Sequence, residues 1–323
     1  MFVNIAMVRR NLLSVARFVL LLFMVSVAAF LLLKMIPGDP IDALVPEGAS
    51  QEVREEARRL YGLDRPLFEQ YLAWISGILQ GDFGRSFQTQ MEVSASLAER
   101  LPVSLELAVL AIVVALAISI PVGVYSAYRP GGAVDRIATL ITSATLATPP
   151  FVLGVLFVYF FAVQAGLLPM LGWVPFSEDP VAHVTYLVLP VITLAAAETV
   201  LFTRLLRGDM VATLQQDHVL AARARGLPTW RILVRHALRQ SSFSLVTVSG
   251  VVIGRLIGGT VIVESIFSLP GMGSLVVNSI LNRDYIVVQA VVLVTALIYL
   301  LMNTLVDLSY PLLDPRVRKV KTS

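Results

Sequence analysis

Residues Asp217–Gln240 read DHVLAARARGLPTWRILVRHALRQ and interrupt an otherwise apolar chain with two delimited helix patterns. Asp217 is placed to cap a helix over residues 218–225, accepting from the first free backbone amides. Arg223 and Arg225 fall in its last turn, where positive charge suits the helix dipole. Gly226 then ends it in the left-handed conformation open to glycine. Pro228 and Thr229 restart the chain. In the second helix Trp230, Leu233, Ala237 and Leu238 share one face, and Arg231, Arg235 and Arg239 lie elsewhere around it. A bent helix pair of this kind suits a groove on a partner; a solvated basic loop that only sets topology is the competing reading.

The rest of the chain explains where such a loop would sit. Of 323 residues, 57% are hydrophobic and 15% charged, with a mean hydropathy of +0.80. Soluble domains carry about 25% charged residues. Apolar runs long enough to cross a bilayer recur, which makes this an integral membrane protein. The spans are expected near 12–35, 103–128, 137–165, 187–206, 243–265 and 286–310. Pro121, Pro149-Pro150 and Pro190 are expected as kinks within them. The apolar run after Arg17 lacks a small-residue cleavage pattern and reads as a retained first span.

Basic residues set the orientation. Placing the N-terminus inside puts sixteen Lys and Arg in inside segments, seven of them between Arg204 and Arg239, and eight outside. Both termini are therefore expected in the cytoplasm, with the opening stretch in the cytoplasmic loop between spans four and five. The net charge of +3 is too small to indicate a nucleic-acid partner. The chain has no cysteine, and His183, His218 and His236 lack metal-ligand spacing, so no metal site is expected.

Outside, residues 36–101 are too long for a turn. PGDP (Pro37–Pro40) forces a bend. Helices are expected over 51–61, ending at Gly62, and 66–80, ending at Gly81. Phe68, Tyr71, Leu72, Ile75 and Leu79 form a stripe that either lies on the membrane or the protein's own surface, or docks an external partner.

Catalytic motifs are missing. The lysines are Lys34, Lys319 and Lys321, none after a glycine, so there is no phosphate-cradling loop and the chain is not expected to bind ATP by itself. No nucleophile elbow or His-Glu-x-x-His occurs, and no catalytic residue is assigned. Ionisable residues at membrane depth are costly and often mark pathways. Glu198 and Arg255 lie deep and either face a water-filled path or pair with each other or a neighbouring subunit. Glu106, Glu264 and Asp307 lie near span ends and read as interfacial; Glu264 is kept with Glu198 and Arg255 as a pathway candidate. Gly250, Gly254 and Gly258 share a face of span five, for tight helix packing or a moving gate.

The opening stretch resembles the coupling loop of ABC importer permeases, whose pattern is Glu-Ala-Ala, three residues, then Gly. Here it reads Leu220-Ala221-Ala222, then Gly226, without the glutamate; the usual hydrophobic-x-Leu-Pro tail reads His236-Ala237-Leu238-Arg239. This variant is similar to the dipeptide/oligopeptide/nickel branch. So are PGDP, YGLDRPLFEQYLAW from Tyr61, GDFGRSF from Gly81 and RLPVSLELA from Arg100. VESIFSLPGMGSL from Val263, RDYIVVQAVVL from Arg283 and LLDPRVR at the end agree too. The set is most like the first of that branch's two paired permeases.

The resemblance implies an all-α membrane protein with six transmembrane helices, the type I importer permease fold, and a helical external region. Its parts would be 1–35, an external region 36–101, a permease core 102–310 with the coupling loop 207–240, and a tail 311–323. It implies an importer of small peptides working by alternating access in the cytoplasmic membrane of a prokaryote, with nickel chelates, haem, glutathione or other small solutes as alternatives. A secondary transporter fits less well, because the halves show no clear internal repeat and the bent loop would have no use there; a non-transporting scaffold or receptor is the other, less favoured reading. The implied partners are a second homologous permease chain, two ATPase subunits that bind ATP and Mg, and an external solute-binding protein. Asp217, Ala221, Ala222, Arg223, Gly226, Leu227, Arg231 and His236 would couple to the ATPase. Ser268, Leu269, Pro270, Gly271, Met272 and Gly273 would face the binding protein or solute.

Overall fold

The computed structural model describes residues 3–35, 41, 45, 48–60 and 62–313, with side chains within 15–306. The side chains of Arg9, Arg10, Lys34 and Asp307, together with the PGDP turn, Tyr61 and residues 314–323, therefore lie outside what is described here. The described residues are helical and contain no strand beyond an isolated bridge between Arg85 and Glu92.

In chain order the helices are α1 (Val3–Met35), α2 (Gln51–Leu60), α3 (Leu67–Leu79), α4 (Val93–Tyr128), α5 (Ala133–Ala147) and α6 (Pro150–Phe157). Then come α7 (Pro180–Leu214), α8 (Asp217–Ala224), α9 (Thr229–Arg231), α10 (Arg239–Gly259), α11 (Val261–Phe267), α12 (Met272–Leu281) and α13 (Tyr285–Leu313). Val158–Gln164 extends α6, and Ile232–Leu238 joins α9 to α10, both as π-helix. Among the described residues four stretches are long and apolar enough to cross a membrane: Val93–Tyr128, Pro180–Leu214, Thr229–Gly259 and Tyr285–Val306. Two broken pairs, Ala133–Ala147 with Pro150–Gln164 and Val261–Phe267 with Met272–Leu281, raise the number to six if each is one span. The described part of α1 adds an apolar helix over Val15–Leu31.

Three expectations change. Pro149-Pro150 does more than kink its span: α5 and α6 turn by 105° there. Thr148 leaves α5 with extended backbone, as the residue before a proline must, and Pro149 accepts Val152 N–H to start α6. Pro121 and Pro190, by contrast, sit inside continuous helices. Span five begins well before 243, because the second helix of the opening stretch runs unbroken into it from Thr229. Span four extends to Pro180–Leu214, started by Asp179, whose Oδ1 accepts from Val181 and Ala182 N–H at 2.9 and 3.0 Å.

The chain forms two compact units. The first is built from residues 1–104, 257–261 and 270–304. Its core is Val93, Leu97, Met272, Val287, Ala290 and Val291, where α4, α12 and α13 meet. Helices form where residues 51–61 and 66–80 were expected to be helical: α2 closes at Leu60, with Gly62 beyond it at φ 64°, and α3 follows Pro66 and ends before Gly81 (φ 84°). Tyr71 of α3 shares a hydrogen bond of 2.8 Å with Ser26 of α1 and sits edge-on against Phe23 and Phe30. The stripe thus splits. Tyr71 and Ile75 turn partly inward with Trp74, while Phe68, Leu72 and Leu79 stay exposed.

The second unit comprises residues 105–256, 262–269 and 305–323. Phe202, Leu206 and Met210 of α7 are fully buried in it. Gly123 of α4 accommodates Leu206, and Gly154 of α6 accommodates Thr193 and Phe267. Gly250 of α10 lies against Val306, close enough that a Cβ there would stand 2.3 Å from Val306 Cγ2. In the first unit Gly258 faces Thr295 more loosely. The glycine face of span five is therefore a packing surface for α13.

Candidate functional site

The opening stretch folds as two helices around Gly226, with changed details. Helix α8 is Asp217–Ala224, one residue earlier than expected, and its cap position is Gln216. Asp217 therefore stands in the first turn, where its charge suits the dipole, and makes no capping hydrogen bond. At the other end Gly226 has φ 73°. Its N–H donates to Arg223 O at 2.9 Å and Leu227 N–H donates to Ala222 O at 3.3 Å. That paired closure is the Schellman motif, which uses up two of the terminal carbonyls.

Beneath this bend Val219, Ala222, Ile232 and Ala237 are buried. The π-helical turn from Ile232 aligns residues five apart, so Ile232 and Ala237 point inward together. The expected face of Trp230, Leu233, Ala237 and Leu238 is thereby split: Ala237 is buried, Leu233 and Leu238 are half-buried, and Trp230 is 62% exposed, with the Arg231 guanidinium over its ring at 5.4 Å. Gln240 Nε2 donates to Gln216 Oε1 at 3.1 Å and Thr213 pairs with Ser241 at 3.2 Å, tying the two ends of the stretch together. Of the expected coupling residues, Asp217, Ala221, Arg223, Gly226 and Arg231 are exposed, Leu227 and His236 are half-buried, and Ala222 is buried as an anchor. Leu220, Trp230 and Val234 add exposed apolar side chains to the same stretch.

Two of the three pathway candidates meet. One guanidinium nitrogen of Arg255 lies 2.8 and 2.7 Å from the two oxygens of Glu198. The Glu198 side chain is 4% exposed and that of Arg255 is 58% exposed. The carboxylate is buried beneath a cation that still faces outward from this chain. Glu264 is fully buried on α11, away from the interfacial exposure expected of it. In the 268–273 segment Leu269, Gly271, Met272 and Gly273 are buried, Pro270 is half-buried and Ser268 is exposed with φ 54°. Ser104 Oγ accepts Met272 N–H at 2.9 Å.

Sequence spacing did not reveal three polar contacts. Arg207 of α7 grips Asp135 of α5 through both oxygens at 2.6 and 2.9 Å, and Gly131 N–H adds a third bond at 2.8 Å. His183 is buried; Nδ1 lies 2.8 Å from Val174 O and Nε2 lies 2.8 Å from Glu106 Oε1, with Trp173 and Phe176 edge-on to the ring. Asp284 accepts from Ser86 Oγ–H at 2.5 Å and Phe87 N–H at 3.2 Å. The last contact joins GDFGRSF to RDYIVVQ, two quoted motifs whose joint presence was the only sequence signal for it. No group of three metal-ligating side chains occurs among the described residues.

Comparison with known proteins agrees along nearly the whole chain. Residues 119–319 match the family described as binding-protein-dependent transport system inner membrane component, and residues 5–108 match its N-terminal companion. A probable peptide ABC transporter permease of Sinorhizobium fredii is 36% identical, over 91% of this chain and 94% of the relative. The oligopeptide transport system permease protein AppB of Bacillus subtilis is 35% identical, over 96% and 98%. The glutathione transport system permease protein GsiC of Escherichia coli is 35% identical, over 92% and 94%.

Proposed function

The chain belongs to the binding-protein-dependent transport system inner membrane components, and on that premise we propose that it is the permease of an ATP-driven importer of short peptides. Relatives named for peptide, oligopeptide and glutathione transport support the substrate class. The chain itself performs no covalent chemistry; ATP and Mg belong to two partner ATPase subunits. A second homologous permease completes the pathway, and an external binding protein delivers the solute. Both termini and the 207–240 loop lie in the cytoplasm, and residues 36–101 lie outside.

The observation that carries this reading is the Schellman-closed bend at Gly226 with an exposed outer face. Ala221, Arg223, Arg231 and the apolar Leu220, Trp230 and Val234 offer a surface that an ATPase groove can hold. The buried row of Val219, Ala222, Ile232 and Ala237 makes that surface rigid with the permease. Because Thr229–Gly259 is one helix, roughly 45 Å long at 1.5 Å per residue, movement at the docked end shifts Arg255 and the glycine face with it. Alternating access then follows from rocking of this helix against its neighbours. Arg255, charged and outward-facing at membrane depth, lines the path, with Glu198 holding its orientation. Glu264 sets the base of that wall, and Ser268 with Pro270 meets the binding protein.

Reconstitution tests the proposal. ATP-dependent uptake of a labelled dipeptide is expected from the four-subunit complex with its binding protein, and none without ATP. Uptake that runs on an ion gradient without ATPase subunits would overturn it.

A further inference from the structure

We propose that the external part of this chain carries a binding site of its own for short zwitterionic peptides, separate from the coupling stretch and the Glu198–Arg255 pair. A cavity of about 430 Å³ opens in the first unit, within the size range of small-molecule sites. Its walls come from the turn after α2, from α3, from residues 82–87 and from the start of α13. Arg65, Trp74, Asp82, Phe83, Tyr285 and Gln289 define its chemistry.

Gln289 points to a ligand. It is 7% exposed, lines the cavity, and has no hydrogen-bond partner among the described residues. Its amide is not among the fully buried side-chain groups left without a partner, so it opens into the cavity, where its donors and acceptor are free for an occupant. A peptide bond supplies the complement, with a donor and an acceptor for the side-chain carbonyl and NH2.

The charges on the walls are available as well. Among the described residues Arg65 forms no ion pair and its guanidinium lies over Gly62. Asp82 accepts Gly84 N–H on Oδ1 at 2.8 Å, which leaves Oδ2 to bind a cation. The two signs match the carboxylate and ammonium of an unblocked peptide, and the rings of Trp74, Phe83 and Tyr285 suit an apolar side chain. The cavity is also held in shape. Gly84 (φ 82°) lets the 82–87 segment approach Ile286, where a Cβ would come to 3.1 Å, and Asp284 fastens Ser86 and Phe87.

That the occupant is a peptide rests on the importer reading above; the cavity and its unpartnered amide stand without it. The same charges would suit a phosphatidylethanolamine headgroup, so the test separates the two sources. The permease–ATPase complex, without binding protein, is placed in phosphatidylglycerol nanodiscs and dialysed against radiolabelled alanyl-phenylalanine. Saturable binding is expected. Gln289→Leu should weaken it about tenfold, equivalent to about 1.4 kcal/mol. Arg65→Gln, at an exposed position unable to disturb the core, should weaken the free peptide by a similar factor and leave the peptide's C-terminal amide unaffected; Arg65→Lys should restore part of the loss. No saturable binding, equal binding by wild type, Gln289→Leu and Arg65→Gln, or complete displacement by phosphatidylethanolamine nanodiscs would overturn the site. ATP-driven uptake with binding protein, measured on the same complexes, separates the outcomes: uptake without cavity binding leaves the importer standing and removes only this site.

Discussion

Replacing Gly226 isolates the bend at the coupling stretch from every other feature of it. A Cβ built there meets nothing within 4 Å, so a side chain costs no steric contact. The penalty is the backbone: at φ 73° an L-residue pays roughly 1–2 kcal/mol, and a β-branched one more. A chain that relaxes to negative φ instead loses the Gly226→Arg223 and Leu227→Ala222 hydrogen bonds, each worth about 1 kcal/mol. Either route gives about 2 kcal/mol for Gly226→Val, or roughly thirtyfold in the population of the docked shape. Gly226→Ala should lie between, and Gly226→Asn should stay near wild type because asparagine tolerates the left-handed region. The assays are retention of ATPase subunits on purification and ATP-dependent uptake in proteoliposomes. Hydrogen exchange at the amides of residues 226 and 227 should rise in the order Asn, Ala, Val. Normal retention and uptake with valine would refute the argument. Asparagine as damaging as valine would refute it too, since the cause would then be exclusion of any side chain by the partner.

Other perturbations test the packing and the polar contacts. Gly250→Ala places a methyl against the stiff, buried Val306 and should cost about 1–3 kcal/mol by overpacking; Val306→Ala in the same chain should recover most of the loss of melting temperature in detergent, and simple additivity would exclude the contact. Arg255→Met leaves Glu198 buried without its cation and should destabilise by about 1–3 kcal/mol, below the full buried-pair value because Arg255 is 58% exposed. Adding Glu198→Gln should restore thermal stability while uptake stays low; restored uptake would remove Arg255 from the pathway. Asp284→Ala removes both acceptors from Ser86 and Phe87, at about 2–3 kcal/mol. Faster exchange at the Phe87 amide is the expected signature, and unchanged protection would show that the segment is held elsewhere.

Local chemistry alone settled the helices and several of their ends. Apolar run length identified the spans, and Gly62, Gly81 and Gly226 stopped helices where they stand, because a left-handed residue without a Cβ is a strictly local requirement. The lack of a phosphate loop and the bent basic stretch were legible for the same reason, and the resemblance of the quoted motifs carried the family. Other features depended on neighbours remote in sequence. Periodicity assumed α-helix, so it grouped Trp230 with Ala237 on one face; the π-turn that buries Ile232 and Ala237 together follows from packing against α7 and α8. The strength of the Pro149-Pro150 break depended on what α6 packs against once it turns, including Thr193 beside Gly154. The Glu198–Arg255 pair was one of several open readings until α7 and α10 came together. Ser86 and Asp284, or Gln289 and Arg65, lie some two hundred residues apart. Only the tertiary fold brings such groups within reach, since a hydrogen bond or a cavity wall is decided by distances of a few ångströms that sequence separation does not encode.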